Sequence, residues 1–238
     1  MIRSILSPDC TILRYGHVYR LGLDRQACRT VSVSLRGGEE SVMTTVFEIA
    51  SQFLKMDKRQ SIESLKLQKL CFYAFGWYAH LTARSLFSEA FYAMPYGPVV
   101  GELLSAHAGE LRVSVPMIDR QISERQDGSE VELSPYVQSV LSGVWSHFRN
   151  KSSWDMVEET HRETVWEDAW EARPEGSKRG TMGHPEIVEY FLNRSLSPSE
   201  AAALPDPLIT IVDSSELGDR KELRGKYLDY FSEIAASE

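Results

Sequence analysis

A chain of 238 residues, 42% hydrophobic and 25% charged, can bury one sizeable core or two small ones, which excludes wholesale disorder. Its net charge of −8 and pI near 5.4 argue against a protein built mainly to hold nucleic-acid phosphates, a task that calls for a basic domain. Cys10, Cys28 and Cys71 form no CxxC pair and leave an odd one over, so the pattern indicates neither a disulfide framework nor a zinc ribbon, and a reducing cytoplasm fits. No stretch approaches the roughly 18–20 uninterrupted apolar residues that span a bilayer, so membrane insertion is not expected.

The first 42 residues differ in texture from the rest. Six arginines and no lysine face four acids, a local +2 that leaves −10 for residues 43–238. Residues 30–35 alternate like a strand, without a turn-linked partner nearby. Gly37, Gly38, Glu39 and Glu40 precede Met43, and G-rich codons for such a run resemble a ribosome-binding site. Residues 1–42 are therefore expected to be an artefactual or disordered extension, with Met43 as the start.

From Thr44 onward helical spacing is plain. Val46, Ile49, Ala50, Phe53 and Leu54 recur at intervals of three and four, predicting a first helix. Residues 64–82 carry apolar side chains on every face around their middle, the pattern of a central helix wrapped by others, with Glu63, Lys66 and Lys69 charging its front end. Residues 91–100 form an aromatic segment in which Pro95 and Pro98 bracket Gly97, predicting a stiff loop. Pro98 stands where a proline would open a helix running through Leu103 and Leu104 to Gly109. Asp127 and Gly128, between short alternating runs at 118–122 and 131–133, predict a β hairpin. Ser134 before Pro135, and Ser152 three residues before Asp155, predict two capped helices. Residues 171–184 read as a glycine-rich loop, 185–194 as a helix, the prolines at 198, 205 and 207 as a linker, and 217–234 as a last amphipathic helix. The fold class is mainly α, a compact helical domain with a small β hairpin, over 43–195, followed by a linker and helix over 196–238.

No constellation of residues favours catalysis. Cys71 falls in the most apolar helix, where burial keeps a thiol inert. His161 and His184, with Asp155 or Glu163, match no familiar metal-ligand spacing, and no cofactor is indicated. The acids at 155, 158, 159, 163, 167, 168 and 171 read as a solvated helix face. GxSxG, HExxH, phosphate-loop and dinucleotide patterns are lacking, so the chain is not expected to be an enzyme. Two features stand out instead. Gln68 and Lys69 interrupt an apolar run, and the loop around Tyr96, Gly97 and Pro98 presents aromatics on a preorganised backbone, which suits a protein interface.

These residues carry a family resemblance. Leu67-Gln68-Lys69-Leu70, then Phe72 to Trp77, Leu86-Phe87, Tyr96-Gly97-Pro98-Val99, and later Ser153-Trp154, Glu159 to His161 and Trp166, follow in the order of the Panacea or SocA-like antitoxin domain. The resemblance runs from about Val46 to Phe191. It implies a helical domain of bacterial and phage-associated proteins that neutralises a cognate toxin by direct binding, in one mode as a proteolytic adaptor to the ClpXP protease. The motifs contain no catalytic residue. The partner-binding residues expected are Gln68, Lys69, Tyr96, Gly97 and Pro98, with Tyr96 and Lys69 dispensable for folding. The alternative is a DNA-binding or phage-associated regulator, using Lys55, Lys58, Arg59, Lys66 and Lys69 on phosphates.

Overall fold

The computed structural model describes residues 44–125 and 132–213 and, ahead of them, 12–14, 17–19 and 29–32. They belong to two units, Glu39–Pro207 and a second built from residues on either side of it. The predicted hairpin turn at Asp127 and Gly128, the predicted helix at 217–234, and Cys10 and Cys28 lie outside the described residues.

The second unit begins with β1 (Ile12–Arg14), β2 (His17–Tyr19) and β3 (Arg29–Ser32). The large unit then follows. Thr45 caps α1 (Val46–Met56) in a capping box with Glu48, which satisfies amide donors that the first turn would otherwise leave orphaned. β4 (Ser61–Glu63) leads into α2 (Ser64–Thr82), which Ala83 stops in a left-handed conformation, φ 55°. β5 (Phe91–Met94), β6 (Gly97–Val100), α3 (Gly101–Ala106), β7 (Arg112–Ser114) and α4 (Val115–Arg125) come next. Ser134 caps α5 (Pro135–Phe148), and Ser152 caps α6 (Ser153–Thr160) with Asp155 answering from N3, both as the sequence predicts. α7 (Thr164–Glu171), β8 (Gly180–Met182), α8 (His184–Asn193) and α9 (Pro198–Ala203) complete the unit. β9 (Thr210–Asp213) then returns to the second unit, whose sheet runs β2-β1-β3-β9.

The architecture is mainly α with small sheets, and α2 is its axis. It packs against α1, α5, α6, α8 and β6, so residues on all its faces are buried, as its apolar girth predicts. Phe72, Tyr73, Phe75 and Trp77 on α2 meet Phe91, Phe148 and Phe191 from three other elements in edge-on and stacked contacts 4.5–6.5 Å between ring centres. Each such side chain contributes about 1.5–3 kcal/mol by leaving water, plus about 0.5–1.5 kcal/mol per well-placed ring pair. Gly76 lets α8 approach: a Cβ there would lie 2.3 Å from the Phe191 ring.

Five local expectations change in the folded chain. The predicted hairpin at 118–133 fails, because residues 115–125 are α4, with Ile118 buried and Ile122 half-buried. A spacing of four serves a helix as well as a strand, and Pro116 suits a helix's first turn. The small hairpin is instead β5–β6, where a stiff loop was expected, and Val99 and Val100 extend as β-branched strand residues, so the helix opens at Gly101 and not at Pro98. The loop at 171–184 contains β8, paired to β5, and the linker contains α9 with its own Ser197–Glu200 capping box. The strand-like run at 30–35 overlaps β3, which pairs in parallel with β1 and antiparallel with β9; Thr30 faces Val212, too distant in sequence for any local turn signal.

Candidate functional site

The hairpin begins from its turn. Met94 pairs with Gly97 across a two-residue loop, Pro95 and Tyr96, and Gly97 takes φ +92°, a region only glycine enters without strain. Space imposes a second demand, since a Cβ on Gly97 would sit 2.5 Å from Thr160 Oγ1 and 2.8 Å from Lys69 Nζ.

In the sheet order β6-β5-β8, β6 is an edge strand. The groups on its outer edge are taken by side chains from consecutive residues of α2. Lys69 Nζ donates to the Pro98 carbonyl at 2.9 Å, and the Val100 amide donates to Gln68 Oε1 at 2.8 Å. Gln68 Nε2 in turn donates to His107 Nε2 at 3.0 Å. Pro98 and Val100 point the same way along the strand, so Gln68 and Lys69 stand in for a missing neighbouring strand and close the edge against adventitious pairing. The polar interruption in the apolar helix is thus a brace for the aromatic loop.

Bracing has an electrostatic cost. Lys69 is 0% exposed, and burial lowers its pKa to about 7. Its neighbour His161 caps α6 and stacks on Trp166 at 4.1 Å between ring centres. Burial and then the charge of Lys69 lower the His161 pKa, opposed by a hydrogen bond with the Pro95 backbone. Trp166 Nε1 donates to the Met94 carbonyl at 3.2 Å, so α7 holds the other end of the turn.

Of the five residues expected to touch a partner, four are inside. Gln68 and Lys69 are buried, which corrects the expectation of an accessible turn at the front of α2, and Gly97 and Pro98 are buried with them. Tyr96 alone is exposed, at 57%. It meets Trp154, 60% exposed, edge to face at 5.5 Å and 87°. Trp154 is fixed by the Ser152–Asp155 capping box and by its neighbour Ser153, whose hydroxyl donates to Glu63. Trp154 is one of the motif residues, and nothing in the motif places it at the surface. Its place at the first turn of a short capped helix was the available signal.

The acidic series proves heterogeneous. Asp155 caps its own helix, Glu159 pairs with Lys151 at 2.5 Å, and Glu163 is buried, accepting from Tyr73 at 3.1 Å and Tyr190 at 2.5 Å with Arg194 Nε at 3.3 Å. Arg194 also reaches Glu200 at 2.8 Å. Burial and Glu163 push the Tyr73 and Tyr190 hydroxyls up, so both remain protonated donors. Asp155, Glu158, Glu167, Asp168 and Glu171 are the exposed members. The two histidines weighed as ligands are engaged elsewhere: His161 on Trp166, and His184 between Phe75 and the Glu89 carbonyl, 2.8 Å away. Cys71 is buried among apolar neighbours, and its thiol is pushed up by burial. Two of the lysines considered for phosphate contact are committed as well, since Lys66 Nζ donates to the Arg149 and Lys151 carbonyls and Lys69 is interior. Among the described residues, no helix is long and apolar enough to cross a membrane.

The hairpin, its brace and both exposed rings fall in one contiguous stretch. Residues 67–167 match the antitoxin SocA-like, Panacea domain. No curated protein and no solved structure matches the chain. The Panacea match begins at Leu67 and ends at Glu167, inside the wider resemblance at 46–191, so α1 and α8, which supply Phe53 and Phe191 to the same core, lie outside it. Within the matched segment, the motif block at 67–70 supplies Gln68 and Lys69, which brace β6, the strand that carries Gly97, Pro98 and Val99 of the block at 96–99.

Proposed function

We propose that this protein is a cytoplasmic antitoxin that neutralises a cognate toxin by direct protein–protein contact through the Tyr96–Trp154 surface. The match to the SocA-like Panacea domain supports the class. The observation that carries the surface is that two large rings, both more than half exposed, are held by independently fixed elements. Rigid aromatic side chains lose little entropy on binding and dominate interface energetics, so such a pair suits a recognition centre. Gln68, Lys69, Gly97 and Pro98 serve the contact from beneath, by holding the turn in its binding geometry.

The experiment is co-expression with the toxic product of a neighbouring gene. Wild-type protein restores growth, whereas Tyr96→Ala and Trp154→Ala, with unchanged melting temperatures, do not. Full rescue by both variants removes this surface from the function. If neutralisation proceeds by presenting the toxin to ClpXP, the toxin's half-life shortens in the presence of the protein and recovers in cells lacking the protease. If the contact itself suffices, the half-life is unchanged.

A further inference from the structure

The chemistry around the Tyr96–Trp154 surface defines the class of group it can receive. Tyr96 and Trp154 meet edge to face, which covers one face of one ring, and both side chains are more than half exposed, so electron-rich ring face remains accessible to solvent. The helices bordering the pair are α6, which carries Trp154, and α7, tied to the turn through Trp166 and Met94. Residues 153–171 contain one lysine or arginine, Arg162, against the exposed carboxylates Asp155, Glu158, Glu167, Asp168 and Glu171; Lys151 and Lys66 offset Asp155 ahead of Trp154, which leaves Glu158 as the carboxylate beside the ring. Glu158 lies one turn after Trp154 on the same helix face. Open ring faces and nearby carboxylates both attract positive charge, and the chain's net −8 extends that attraction to longer range.

Resting on the reading that this is the contact surface, we infer that the Tyr96–Trp154 pair receives an arginine- or lysine-bearing segment of the partner protein, its cation seated on the rings and countered by Glu158. The segment's other charges are steered by the acids of α6 and α7. An acidic or purely apolar partner segment would meet like charge or leave these carboxylates desolvated.

The test uses the purified full chain and fluorescently labelled hexa-arginine, with hexaglutamate as control, followed by anisotropy. Hexa-arginine is expected to bind and hexaglutamate not to. Trp154→Ala is expected to weaken binding about tenfold or more, the loss of a partly desolvated cation–π contact, and Glu158→Gln a few-fold. Leu111→Ala, which alters an 85% exposed apolar residue on another segment, should leave affinity unchanged. Equal affinity for wild type and Trp154→Ala overturns the inference, because binding is then diffuse attraction to an acidic protein. If hexa-arginine fails to bind while Trp154→Ala abolishes rescue from the toxin, the contact surface stands and its cationic specificity falls. If hexa-arginine binding depends on Trp154 while Trp154→Ala rescues fully, the cation site stands and its role in neutralisation falls.

Discussion

One helical turn of α2 separates two solutions to the problem of a buried charge. At Lys69 the amine is fully enclosed with one backbone carbonyl as acceptor, and burial alone accounts for its lowered pKa. At Tyr73 the helix instead offers a hydroxyl to the buried Glu163, which also collects Tyr190 and the Arg194 guanidinium. The Glu163 carboxylate has two hydroxyl donors and a guanidinium, whereas the lysine has a single carbonyl. A buried ion with a full complement of partners is costly to disturb, whereas a group that can shed its charge is cheap to neutralise and sensitive to pH. The Glu163 cluster is therefore read as a fastener of α2, α7 and α8, and Lys69 as an adjustable brace under the β5–β6 turn.

The largest effect expected from breaking this contrast is at Glu163. Glu163→Ala removes the acceptor of the Tyr73 and Tyr190 hydroxyls and one of the two carboxylates on Arg194, which keeps Glu200, and is expected to destabilise the fold by about 2–4 kcal/mol, read as a loss of melting temperature and of denaturant midpoint. Gly97→Ala comes next: a left-handed φ and a Cβ pressed against Lys69 and Thr160 should cost about 1–3 kcal/mol in chemical denaturation. Lys69→Met is milder, because losing a hydrogen bond of about 0.5–1.5 kcal/mol is offset by removing an ionisable group from the core. Its signature is pH dependence. The folded pKa of about 7 lies below the unfolded 10.5, so protonation favours the unfolded chain. Stability from this group therefore rises with pH between about 7 and 10.5, and below about 7 the full cost of burying the ammonium applies. The wild-type minus Lys69→Met difference in melting temperature should climb from pH 6 to pH 9; a flat difference would mean that the amine does not titrate in this window. Smallest in stability is Trp154→Ala, expected within about 0.5 kcal/mol of wild type because the ring is exposed, with its consequence confined to binding.

Periodicity alone located α1, α2, α5 and α8, and residue chemistry placed the caps at Ser134 and Ser152, because helix spacing and capping are local properties. It was less reliable where local patterns are degenerate, as at 118–122, where a spacing of four fits a strand or a helix, and at Pro98, a residue common to edge strands and helix starts. For the site, the sequence singled out Gln68, Lys69, Tyr96, Gly97 and Pro98 as one group, and the structure does bring them together. Which of them faces solvent was not legible, since an amphipathic pattern cannot show that a polar side chain on a helix meets the open edge of a strand thirty residues away.

What the sequence by itself determined is the helical character of the chain and its acidic balance, which follow from composition and short-range spacing, and the ordered motif residues that carry its resemblance to the Panacea domain. Tertiary structure decided that Lys69 is buried as a brace beneath the turn, that Glu163 is a hub and not a solvated acid, and that Tyr96 finds Trp154. Each of these depends on which group lies opposite, and in a packed interior the fate of a charge or a ring is set by its neighbour in space, often far away along the chain.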